Sequence, residues 1–128
     1  MAGGPMKGFC PKKGLDDKLA GKMHMAVVNA GELGLTDEQV DQIIDLKVKM
    51  KKDVIQYNAK IDTVKIDIKY ELWKDQIDRA KIDEQINVKY DMKKDKAKSL
   101  VAYLVEFKGI LSDEQNEQLK SMCLKGRK

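Results

Sequence analysis

Aromatic side chains make up only 5% of the sequence, and its 128 residues include two cysteines, two prolines and one histidine. Each scarcity removes a class of protein. Few aromatics leave little to fill a thick globular core or to build a base-stacking platform. Cys10 and Cys123 lie near opposite ends and match no CxxC, zinc-finger or haem-attachment spacing. With a single histidine, no Gly-rich phosphate loop and no carboxylate pair set apart from the helix-surface pattern, an enzyme is not expected and no cofactor is required. No run approaches the roughly 18 consecutive apolar residues of a membrane-spanning helix, so a membrane-embedded chain is not expected either. The N-terminus has no apolar signal core, and Met1 to Pro5 reads as a non-native addition to a mature chain whose signal was removed.

Neither sign of charge dominates. The 25 Lys and Arg residues are interleaved with 21 Asp and Glu residues, so the formal charge of +4 forms no phosphate-tracking stripe and no nucleic acid is expected as partner. Charged residues reach 36% of the chain, which suits exposed amphipathic helices around a thin seam. The length fits one domain. Three segments follow from composition: a flexible arm over residues 1–14, holding both prolines and four of the nine glycines; a helical domain over 15–124; and a basic tail over 125–128.

Within the domain, Leu15, Leu19, Met23, Ala26, Val27, Ala30 and Leu33 recur at helical steps, and Gly31 and Gly34 are placed to end this first helix. Thr36 stands three residues before Gln39, the spacing of a capping box, with Leu35 and Val40 as a hydrophobic staple and Asp37 and Glu38 in the first turn. Beyond it, Met50, Val54, Tyr57, Ile61, Val64 and Ile68 form a heptad seam, predicting a helix from about Asp37 to Leu72. A turn follows, with Asp75 or Asp78 as the next cap. Ile86, Tyr90, Lys93, Ala97, Leu100, Leu104 and Phe107 repeat at the same spacing, predicting a return arm that Gly109 stops. Ser112 and Gln115 then repeat the capping box before a last short helix with Leu119, Met122 and Cys123. The expected fold is all-α: an elongated antiparallel helical hairpin with a short helix at each end. Trp73 is expected to shield the hairpin turn or to meet a dimer partner.

The paired boxes, Leu35-Thr36-Asp37-Glu38-Gln39 and Leu111-Ser112-Asp113-Glu114-Gln115, flank a proline-free hairpin and resemble the CpxP/Spy/ZraP family. The resemblance covers roughly Leu15 to Met122, and Ile77-Asp78-Arg79-Ala80-Lys81-Ile82 also looks like the family's opening to its third helix. It implies a periplasmic, cradle-like homodimer acting in envelope stress, as an ATP-independent chaperone of unfolded clients, as an adaptor to a membrane sensor kinase, or in metal resistance. The nickel/cobalt site of the related CnrX-type sensors is not reproduced. His24 has Ala20 and Val28 as its four-residue neighbours, and Val88 stands four before Met92. Lys and Asp also take the place of the Arg- and Met-rich concave face of chaperone members.

Two readings of the soft ligands remain. Met23-His24-Met25, Cys10 and Cys123 would suit zinc or copper(I) if the terminal helices converge, with Met23, His24, Cys10 and Cys123 as the candidate ligands; otherwise Met23 is a core residue and His24 a surface one. Cys10 and Cys123 are either two thiols or a disulfide closing a loop of more than a hundred residues, a closure that chain-entropy models credit with about 4–5 kcal/mol.

Overall fold

The computed structural model describes residues 14–125, and all regular structure among them is helical. Five helices follow in order: α1 Leu15–Val28, α2 Ala30–Leu33, α3 Asp37–Leu72, α4 Arg79–Ile110 and α5 Asp113–Lys125. The 36 residues of α3 extend about 54 Å at 1.5 Å per residue. Its cross-contacts with α4 run in opposite senses: Gln39 meets Ile110, Asp53 meets Tyr103, and Asn58 meets Lys96. The pair is therefore an antiparallel hairpin.

The short helices pack at one end of it. Leu19, Met23 and Ala26 of α1, Ile43, Leu46 and Met50 of α3, Leu100, Tyr103 and Phe107 of α4, and Leu119 of α5 form one buried cluster with Leu33 and Leu111. Phe107, Met23, Ile43 and Met50 are its largest fully buried side chains. Full burial of such a side chain is worth roughly 1.5–3 kcal/mol, so the fold's stability is concentrated here.

The first helix is interrupted. At Asn29 the backbone leaves helical geometry, at φ −105° and ψ 27°, and the side-chain Nδ2 donates back to the Met25 carbonyl, so the predicted element is split into α1 and α2. Gly31 lies inside α2, while Gly34, at φ +71°, ends it with its N–H on Gly31 O and that of Leu35 on Ala30 O. That left-handed turn is one a side chain would strain.

Helix α3 begins and ends where its sequence signals place it. Thr36 Oγ1 accepts from the Gln39 N–H at 3.0 Å, and Gln39 Oε1 accepts from the Thr36 N–H at 2.9 Å. Asp78, not Asp75, caps α4, accepting from the Lys81 N–H at 3.2 Å. The stop at Gly109 is corrected by one residue, because α4 continues through Ile110 and leaves the helix at the extended Leu111. The end is set there because the Ile110 carbonyl is taken up by Gln39 and Ser112 starts the next helix, not by a left-handed glycine.

The return seam also needs correcting. Leu100, Leu104 and Phe107 face inward as expected, but Ile86, Tyr90, Lys93 and Ala97 are exposed. Ile82, Gln85, Lys89, Met92, Lys96 and Ser99 take the inward positions instead. A helix rotates as a rigid rod, and the apolar cluster around Leu100, Tyr103 and Phe107 fixes its phase; carried back at the roughly 3.6 residues per turn of a straight helix, that phase selects the polar row, while the heptad row drifts about 20° per heptad away from it. Lys96 Nζ then donates to Asn58 Oδ1 at 2.8 Å, and Gln85 Oε1 is buried without a partner among the described residues.

Candidate partner-binding surface

The face of α3 turned away from α4 is apolar and uncovered. Ile44, Ile55 and Ile66 are eleven residues apart, and so are Val48, Ala59 and Tyr70, with Trp73 closing the series. Eleven residues are just over three full turns, so each set projects in nearly one direction. Ile55 and Ile66 are 67% and 66% exposed, and Trp73 85%. From Ile44 to Trp73 the stripe runs about 44 Å. The sequence signal was this eleven-residue recurrence, hidden beside the heptad seam of the same helix.

Trp73 therefore does not shield the turn. The buried side chain there is Glu71, only 4% exposed, whose Oε2 lies 3.1 Å from the Nζ of both Lys74 and Lys81. The hydrogen bonds from Lys81 and then Lys74 hold the Glu71 carboxyl below its ordinary range, and Glu71 in turn raises Lys81. Lys74 also sits over the Tyr70 ring, 5.0 Å from its centroid.

At the other end of the stripe, His24 and Val27 of α1 and Ile44, Lys47, Val48 and Lys51 of α3 line a groove. On α4 a second uncovered row, Ile86, Tyr90, Ala97 and Val101, repeats at the same eleven-residue spacing.

The capping motifs do more than cap. Gln39 Nε2 donates to Ile110 O at 2.9 Å and to Gln115 Oε1 at 3.0 Å. Gln115 Oε1 also accepts from the Ser112 N–H, while its Nε2 donates to Leu33 O and Gly34 O at 3.3 and 3.1 Å. The Gln115 N–H completes its own box on Ser112 Oγ. The two boxes thus interlock and satisfy the carbonyl ends of α2 and α4. Only an amide can do this, since a carboxylate would cap but has no N–H to give. Leu35 is half-buried and Leu111 buried beside this node.

The sulfur and imidazole candidates are placed differently. Met23 is fully buried in the core, whereas His24 is exposed on the groove just described. Cys123 is half-buried, with Sγ 3.5 Å from Met25 Sδ, so the member of the Met23-His24-Met25 group beside the thiol is Met25 and not Met23. Cys10, and with it the disulfide expectation, lies outside the described residues. Among the described residues no group of three or more His, Cys, Asp or Glu side chains is placed to hold a metal ion. No described helix is long and apolar enough to cross a membrane.

No family model matches this chain, and neither the curated proteins nor the solved structures contain a significant match to it.

Proposed function

We propose that this protein is a stress-associated binding protein that holds apolar segments of partially unfolded clients on the outer face of α3, without ATP. The observation carrying this reading is the uncovered stripe Ile44, Val48, Ile55, Ile66, Tyr70 and Trp73. A continuous exposed apolar face marks an interaction surface, and fully covering one such side chain would contribute roughly 1.5–3 kcal/mol. The charged residues on either side keep the stripe soluble. The periplasmic setting and a membrane sensor kinase as an alternative partner rest on the motif resemblance alone. A cradle-like homodimer joined through the row Ile86, Tyr90, Ala97 and Val101 would leave the α3 face free.

The test is aggregation of a chemically denatured client, followed by light scattering. Near-stoichiometric protein is expected to suppress it, and the pair Ile55→Asp with Ile66→Asp to lose most of that suppression while keeping its helical circular dichroism. No suppression over a range of clients would sink the proposal. Sedimentation of Tyr90→Asp and Val101→Asp tests the dimer, which is expected to fall to monomer.

The Cys123–Met25 sulfur contact favours a second reading, a zinc- or copper(I)-binding sensor or buffer. It predicts saturable uptake that weakens in Cys123→Ser and His24→Ala; unchanged affinity in both removes those residues.

A further inference from the structure

The stripe is not chemically uniform along its length. Its α1-proximal end is a groove with an apolar floor, Val27, Ile44 and Val48, and a rim formed by His24, Lys47 and Lys51. Lys47, Lys49, Lys51 and Lys52 fall within six positions with no acid among them; Lys47 and Lys51 line this groove, while Lys49 lines a separate hollow with Asp45 and Glu106. None of the four forms an ion pair among the described residues. Asp53, the next acid along, is engaged by the Tyr103 hydroxyl. The lysine stems can extend the apolar floor while their ammoniums remain available at its edge.

From this charge pattern we propose that the groove selects a class of client: segments in which an apolar side chain is flanked by carboxylates one helical turn or a few extended residues away. The inference rests on the client-binding reading and adds its specificity. An apolar side chain covers Val27, Ile44 and Val48, and the flanking Asp or Glu residues meet Lys47 and Lys51. A segment with lysine or arginine in those flanks meets like charge at the rim, and complementary charge at an interface rim acts mainly on selection and on encounter rate. Toward the turn, lysines beside the stripe are paired, Lys65 with Asp62 and Lys74 with Glu71, and that part has no such preference.

Three fluorescent peptides sharing one apolar core, with Glu, Ser or Lys flanks, separate these readings when titrated with the full-length protein by anisotropy. The Glu-flanked peptide is expected to bind about tenfold tighter than the Lys-flanked one at low salt, with the gap narrowing as salt rises. Lys47→Glu with Lys51→Glu should reverse the order, and the milder Lys47→Gln with Lys51→Gln should abolish the preference if the reversal variant fails to fold. Val48→Asp should weaken all three. Equal binding of the three peptides overturns the selectivity and leaves the client-binding reading standing. Absence of binding by all three, together with no suppression of aggregation, overturns both. A change of oligomeric state in the Lys47 and Lys51 variants would assign the groove to a second copy, whose Asp62 and Ile66 carry the same chemistry, and would also overturn the proposal.

Discussion

The two ends of the hairpin are built on opposite terms. Near the chain's short helices, α3 and α4 are covered by α1, α2 and α5 around a continuous apolar cluster of twelve buried residues. Toward the turn, only Ile61 and Ile82 are buried apolar side chains, the α4 seam is Gln85, Lys89, Met92, Lys96 and Ser99, and a carboxylate held by two lysines closes the end. Few buried apolar contacts and many exposed backbone hydrogen bonds define a region that opens locally before the whole unfolds. One helix pair therefore combines a fixed platform with a yielding arm, and the apolar stripe on α3 runs across both.

The contrast can be broken most severely at Phe107. Phe107→Ala should cost about 3–5 kcal/mol in urea unfolding, whereas Ile82→Ala, in the arm, should cost less and leave a native core. Equal losses would mean that the two ends unfold as one unit.

Next in size is Gln115→Glu. Glutamate still caps Ser112 but leaves the Leu33 and Gly34 carbonyls without the donor they have now and sets a charge beside them. A loss of about 1–3 kcal/mol in thermal unfolding is expected, and no loss would show that the amide serves the cap alone.

Tyr103 sits at the border of the two regions, where burial and then the hydrogen bond to Asp53 push its hydroxyl up to about 12. A raised folded value stabilises the protein below pH 10 and is lost as pH rises toward 12. Tyr103→Phe should cost about 1–2 kcal/mol at neutral pH and make the alkaline limb shallower.

The smallest global effect is expected from Glu71→Gln. Glu71 has a lowered folded value, so its contribution is present above the ordinary carboxylate range and is lost as pH falls through the lowered one. The variant should flatten the acid limb below about pH 4.5 and speed amide exchange around the turn. Unchanged exchange there would remove the ion cluster as the arm's closure.

Much of this architecture was legible because local chemistry announces it. Thr36 with Gln39 placed the start of α3, and proline-free apolar periodicity carried it to Leu72. Rotation of α4 was not legible: Ile86, Tyr90 and Ala97 form a more apolar row than the true seam, and only the distant cluster at Leu100, Tyr103 and Phe107 decides between them. Burial of Glu71 depends on Lys81 across the turn, so Trp73 looked the better shield from sequence alone. At the candidate surface, Ile44, Ile55 and Ile66 were visible as residues but not as a face, since exposure is a property of what α4 leaves uncovered. Within Met23-His24-Met25 the choice between the two sulfurs was not legible, because spacing shows which residues share a stripe, not which sulfur reaches Cys123.

The glutamine node also bears on when the molecule can be completed in time. Its bonds join residues separated by 76 and 82 positions, so they close only after nearly the whole chain is available. The hairpin arms have short-range turn contacts that can form early, but loop-closure entropy delays the node to a late step. Until then the Leu33 and Gly34 carbonyls at the end of α2 lack their side-chain donor, and a chain shortened before Gln115 would lack it throughout.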